Sequence, residues 1–137
     1  MDSVIVLFED RWGAILDRAN AGYLELRWFD STAEMTGAEF QDWLLAFAEE
    51  VGTCRRPGLL VDATRFRMPD DERDTSWREA HLVPHYNAAG VQRFAFLMPD
   101  GMAAIGRTPR REGAAEYPTA YFDRRGDALA WLAETPS

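Results

Sequence analysis

An α/β domain built on one mixed sheet is what this sequence predicts, and three observations lead there. Pro57-Gly58-Leu59-Leu60-Val61-Asp62-Ala63 is a short apolar run opened by Pro-Gly and closed by an aspartate. That is the pattern of a strand buried on both faces inside a parallel sheet. Strands and helical patterns alternate after residue 57, so right-handed crossovers would make those strands parallel. Before it, Tyr23 to Phe29 alternates, with Leu24, Leu26 and Trp28 on one face and Glu25 and Arg27 on the other. This is the mark of a half-buried antiparallel strand.

Length and composition set the frame. At 137 residues the chain is one domain, 1–137, able to bury about two-thirds of its unfolded surface. A hydrophobic share of 47% is that of a globular protein. The net charge of -8 argues against general nucleic-acid binding or an anionic membrane surface. The single cysteine, Cys54, excludes an internal disulfide and a cysteine-based zinc site. The first residues lack a basic leader region, and no apolar run nears the roughly 18 residues of a membrane span. A reducing cytoplasm is the expected location. Fifteen basic residues, none of them lysine, fit a bacterial chain.

Each element has its own signal. Val4 to Phe8 and Trp12 to Leu16 read as strands around a Glu9-Asp10-Arg11 turn, and Asn20-Ala21-Gly22 turns into the alternating third strand. Thr36-Gly37-Ala38-Glu39 is a capping box, with Ser31 to Glu34 as a rival start one turn earlier. Phe40, Trp43, Leu44, Phe47, Ala48 and Val51 then form one apolar helical stripe, with Gly52 as its expected stop. After the central strand, Met68 to Asp74 reads as an acidic loop or first helical turn. A second helix is expected from about Asp74 to Ala89, kinked or split by Pro84. Arg93 to Met98 is another buried strand, closed by Pro99-Asp100-Gly101. Residues 102 to 116 stay open between helix and loop, because Gly106, Pro109 and Gly113 interrupt an Ala-rich start. Thr119 to Phe122 is a short strand, and Asp123 is expected to cap a last helix with Ala128, Trp131 and Leu132 on one face. The order is β-β-β-α-β-α-β-(α)-β-α, with about four helices and the N-terminal strands as an antiparallel edge.

Leu59-Leu60-Val61-Asp62 with Phe66, the strand Arg93-Phe94-Ala95-Phe96-Leu97, and the ending Ala120-Tyr121-Phe122-Asp123 to Ala128-Leu129-Ala130-Trp131-Leu132 resemble the STAS-like (SpoIIAA-like) family of small bacterial proteins. The resemblance covers roughly residues 20 to 134, and its motifs are structural. It implies a single STAS-like domain and leaves activity open. STAS domains act as partner-binding switches, often through a phosphorylated serine or threonine just after the central strand. A phosphate there adds about -1.5 to -2 charge. Here the Asp-Ser-Ser/Thr-Gly type of motif is absent. Thr64, Thr75 and Ser76 are the nearby hydroxyls, and the last two sit beside Asp70, Asp71, Glu72 and Asp74, which would repel a phosphate.

Other chemistry is weaker. His81 and His85 have the spacing of two-histidine metal sites, but Pro84 disturbs their register and the glutamate of a zinc-protease motif is missing. A metal would need a third ligand such as Asp62, Asp70 or Asp74. Arg107, Arg110, Arg111, Arg124 and Arg125 are the basic concentration of the chain, expected to pair with nearby carboxylates, with an anion site as the alternative. Gly101 to Gly106 lacks the G-x-G-x-x-G spacing. Arg55 and Arg56 beside Cys54 are neighbours of the kind that can lower a thiol pKa, yet no histidine is near in sequence and a nucleophile role is not expected. No nucleophile-elbow sequence is present. Trp43 and Trp131 fit helix stripes as core. Trp77 either packs on the sheet or lines an apolar pocket with Phe66, Met68 and Tyr86.

The resulting expectation is a non-enzymatic binding or regulatory domain without metal, cofactor or catalytic residue. It would hold a partner protein or a small apolar, lipid-like ligand at the C-terminal ends of its parallel strands. The residues expected there are Asp62, Thr64, Phe66, Met68, Trp77, His81 and Tyr86. The alternatives are a phosphorylation-controlled switch of the anti-sigma-antagonist kind at Thr64 or Ser76, and a metal-dependent enzyme using His81 and His85. A homodimer is also expected, since five tryptophans and eight phenylalanines are more than a small core readily hides.

Overall fold

The computed structural model describes residues 4–68, 75–99, 101 and 108–134. Three strands, β1 (Ile5–Glu9), β2 (Gly13–Arg18) and β3 (Tyr23–Trp28), form an antiparallel meander. Helix α1 (Gly37–Cys54) leads into β4 (Gly58–Asp62), and α2 (Thr75–His81) with α3 (Val83–Ala88) leads into β5 (Arg93–Leu97). The two-residue β6 (Arg110–Arg111), β7 (Pro118–Phe122) and α4 (Arg125–Ala133) complete the chain. The strands lie in one mixed sheet of order β1-β2-β3-β4-β5-β7-β6. β3, β4, β5 and β7 are mutually parallel, and β6 returns antiparallel on the far edge. The apolar run at residues 58–62 is therefore the middle strand of seven.

Local chemistry explains the joints. Asp10 folds the first turn by accepting from the Trp12 N–H at 2.8 Å, and its carboxylate also takes the Trp43 indole N–H at 3.0 Å. Gly13 is required by close approach: a Cβ there would lie 2.5 Å from the Arg27 carbonyl oxygen. The capping box at Thr36 and Glu39 is formed, so α1 starts where the hydroxyl and carboxylate satisfy its first N–H groups. Ser31 belongs instead to a separate 3-10 turn, Asp30–Glu34.

Three expectations need correction. Gly52 does not stop α1, which runs on to Cys54; Arg55 takes the left-handed conformation (φ 52°) and ties its guanidinium to the Ala88 carbonyl at 3.1 Å. That tertiary bond helps offset the steric penalty of a non-glycine residue there. Asp123 does not cap α4. The cap position is Arg124, which makes no side-chain cap bond, and Arg125 in the first turn reaches across to β3. Finally, β3 is an interior strand: antiparallel to β2, parallel to β4, and buried on both faces, with Glu25 fully enclosed. Pro84 splits the second helix as its ring demands, sitting in the first turn of α3, where its missing N–H breaks no helical bond.

Two layers cover the sheet. On one face Leu24, Leu26, Leu59, Val61 and Phe94 meet Phe47 and Val51 of α1 and Leu82, Val83 and Tyr86 beside and within α3. On the other, Tyr23, Leu60, Ala95 and Leu97 meet Ala128 of α4, flanked by Trp131 and Leu132. Among the described residues no helix is long and apolar enough to cross a membrane.

Candidate functional site

A cavity of about 470 Å³ lies between the sheet and α1, α2 and α3, at the C-terminal ends of the parallel strands. Its floor comes from alternate residues of three strands: Leu26 and Trp28 of β3, Val61 of β4, and Phe94 and Phe96 of β5. The period of two sends all of these to one face. Its roof is the α1 stripe, Phe40, Leu44 and Phe47, spaced so that one helical face looks down on the strand ends. Trp77, Arg78, Leu82 and Tyr86 form the third wall.

The loop after β4 is tied in place on this side. Asp62 accepts from the Thr64 backbone N–H at 3.1 Å and from its hydroxyl at 2.6 Å, which makes an Asx turn. The Arg67 N–H then donates to buried Thr32 at 2.8 Å, and Arg65 pairs with Asp30 at 3.1 Å. The Asp30 carboxyl is held below its ordinary value by the bond from Arg65. These bonds set Phe66 against Trp28 (5.3 Å between ring centroids) and Phe40 (5.6 Å). Such tilted pairs give a rigid aromatic wall.

Among the described residues, Arg78 is the single charged one lining the cavity. Its guanidinium stands 5.5 Å from the rings of both Phe94 and Phe96, within cation–π range. Burial pushes Tyr86 well above the ordinary tyrosine value. Burial, reinforced by the Glu112 carboxylate, carries Tyr121 up to about 12. In both cases the Arg78 charge opposes the rise. The tyrosines are neutral donors at ordinary pH, and Arg78 carries the positive charge.

Of the residues expected from sequence, Phe66, Trp77 and Tyr86 line the cavity together. Met68 is buried in the adjoining core without reaching the cavity wall. Asp62 and Thr64 shape the turn rather than the lining. His81 lies outside, exposed at the end of α2 with its ring 5.1 Å from that of Trp77, and His85 is exposed on α3. Among the described residues no three His, Cys, Asp or Glu side chains come together to hold a metal. Asp70, Asp74 and Arg107 fall outside the described residues. At Cys54, burial, then Asp17 and Glu50, push the thiol up and outweigh the lowering by Arg56. Sequence reasoning missed Trp28, Phe40, Phe96, Tyr121 and Arg78. The available signal was Arg78, next to Trp77 in a helix read for its apolar residues and its two histidines.

These features define the class: an α/β domain with a mixed sheet and an aromatic cavity at the strand ends. Compared with family models, with curated proteins and with solved structures, the chain gives no match.

Proposed function

We propose that the chain is a non-enzymatic binding domain of STAS-like type that holds a small apolar, lipid-like ligand in the cavity lined by Phe66, Trp77 and Tyr86. The cavity itself carries the reading. At about 470 Å³ it falls within the size range of small-molecule sites. A sealed empty void of that volume would cost on the order of 10 kcal/mol, at about 24 cal/mol per Å³, which rivals a domain's whole stability. Its walls therefore face either water or a ligand, and aromatic walls facing water are what an apolar ligand would cover. The STAS-like part rests on the resemblance of residues 20 to 134; the mixed sheet is compatible with it.

Native mass spectrometry of freshly purified protein tests the proposal. The expected result is an adduct of small-molecule mass that is lost in Leu44→Trp, whose indole would fill the cavity. A bare polypeptide mass, with no apolar probe changing the tryptophan fluorescence, would sink it.

Self-association belongs to the same proposal, on altered grounds. Trp12, Trp28 and Trp43 are buried and Trp77 and Trp131 half-buried, so the tryptophans leave less surface to cover than their number suggests. Apart from Leu45 on α1, the exposed large hydrophobics among the described residues lie on the edge strand β1 and its approach: Val4, Ile5 (54% exposed), Val6 and Phe8. An apolar edge with unpaired backbone groups invites a second strand. The dimer proposed pairs β1 with β1 of a second copy. Sedimentation at micromolar concentration should show a dimer that Val6→Lys dissociates; monomer throughout would remove this part.

A further inference from the structure

A second cavity, about 430 Å³, adjoins the first through a shared wall residue, Arg78. Arg110 and Arg111 of β6 line it, with Glu79, Glu112 and Tyr117. The expectation that the arginines pair with nearby carboxylates holds for Arg125 but not here. Among the described residues, none of Arg78, Arg110 and Arg111 has a carboxylate within ion-pair distance.

The two acids in this cavity are engaged elsewhere. Glu112 accepts from the Tyr121 hydroxyl at 3.0 Å, and Glu79 accepts from the Ala114 N–H at 3.0 Å. Gly113 permits the second bond: its φ is 57°, and a Cβ there would lie 2.2 Å from a Glu79 oxygen. Both carboxylates line the same cavity as the three cations, but their hydrogen bonds go to Tyr121 and Ala114, and neither forms an ion pair with an arginine there. Tyr117 adds an independent sign. The residue is 1% exposed, and its hydroxyl, shut off from solvent, has no hydrogen-bond partner among the described residues. A buried hydroxyl left unpaired costs about 1–3 kcal/mol, and native proteins rarely keep one without reason. An oxyanion arriving beside Arg78 would supply the missing acceptor.

Resting on the ligand-binding reading above, we propose that the ligand is an anionic amphiphile: its apolar body fills the aromatic cavity, and its negatively charged head lies against Arg78, Arg110 and Arg111. The charge is complementary, and the arrangement gives the ligand a direction. The tail runs under α1, and the head emerges between α2 and β6. Carboxylate and phosphate heads share this chemistry, since a guanidinium can bind either in bidentate fashion.

Calorimetric titration of the full chain with dodecanoate, dodecyl phosphate and 1-dodecanol, each kept below its aggregation concentration, tests this. Both anions should bind at least about tenfold more tightly than the alcohol, a difference of about 1.4 kcal/mol. Added salt should weaken the anions and leave the alcohol unchanged. Arg78→Met should abolish the preference. Arg110→Gln with Arg111→Gln, on exposed edge positions, should narrow it. A preference between the two anions names the head group and supports the proposal either way. Alcohol binding as tight as the anions, or a preference that survives both sets of variants, overturns the anionic head and leaves the apolar-ligand reading standing. If none of the three probes binds and no adduct is seen by native mass spectrometry, both readings fall together.

Discussion

The two faces of the sheet are closed by opposite chemistries. On one, three helices rest on a broad aromatic layer that leaves a cavity at the strand ends. On the other, α4 is the one helix among the described residues that covers a small apolar patch, and its N-terminal end is fastened by charge. There Glu25, with no exposed surface, takes Arg125 at 2.6 Å and Arg27 at 2.9 Å, with Arg18 at 3.7 Å. At the other end of α4, Arg93 donates to the Trp131 carbonyl at 2.6 Å and stands 5.2 Å over its ring. The difference teaches how the site is afforded. Directional bonds hold a short helix with little apolar area, whereas the large apolar area of the opposite face holds three helices even with space left between them.

The broadest test of that contrast is alkaline pH. Burial raises all four tyrosines, Tyr117 and Tyr121 to about 12. A folded pKa above the unfolded value of 10 means the native state holds its proton longer. Stability from these groups is complete below pH 10 and is lost as pH climbs through 12. Tyrosinate absorbance should therefore lag behind that of the denatured chain and then rise together with loss of circular dichroism. Ionisation of all four near pH 10 without unfolding would contradict the buried aromatic layer.

Single substitutions divide the faces next. Phe47→Ala, fully buried between α1 and the sheet, should cost about 3–5 kcal/mol in urea unfolding. Glu25→Gln should cost about 3 kcal/mol, because it leaves three guanidiniums facing a neutral amide. Adding Arg125→Met to Glu25→Gln should cost less than the sum of the two single changes; strict additivity would mean that the cluster is not a unit. The smallest effect expected is Thr36→Ala, about 1 kcal/mol from the lost cap, read from the same unfolding curves.

How much of this was legible depended on how local the cause was. The central strand, the capping box and the break at Pro84 each follow from a handful of neighbouring residues, and sequence reading found them. Glu25 could not be read that way. In a strand alternating Leu24-Glu25-Leu26 it looks solvated, and only α4, a hundred residues later, encloses it with Arg125. The cavity was half legible for the same reason. Phe66, Trp77 and Tyr86 flank the end of the central strand in sequence, but Trp28, Phe40 and Tyr121 reach it only because the sheet order places β3, β4, β5 and β7 side by side. Arg55 in a left-handed conformation had no signal at all, since its partner is the Ala88 carbonyl.

The two margins of the sheet carry one more consequence. At one margin β6 is only two residues long, and both are arginines, a charged pair that resists addition of another strand. At the other, β1 is apolar and open. A molecule with one extendable margin cannot grow into a ribbon. Pairing β1 with its own copy about a two-fold axis uses up that margin on both partners, so assembly by this route terminates at two.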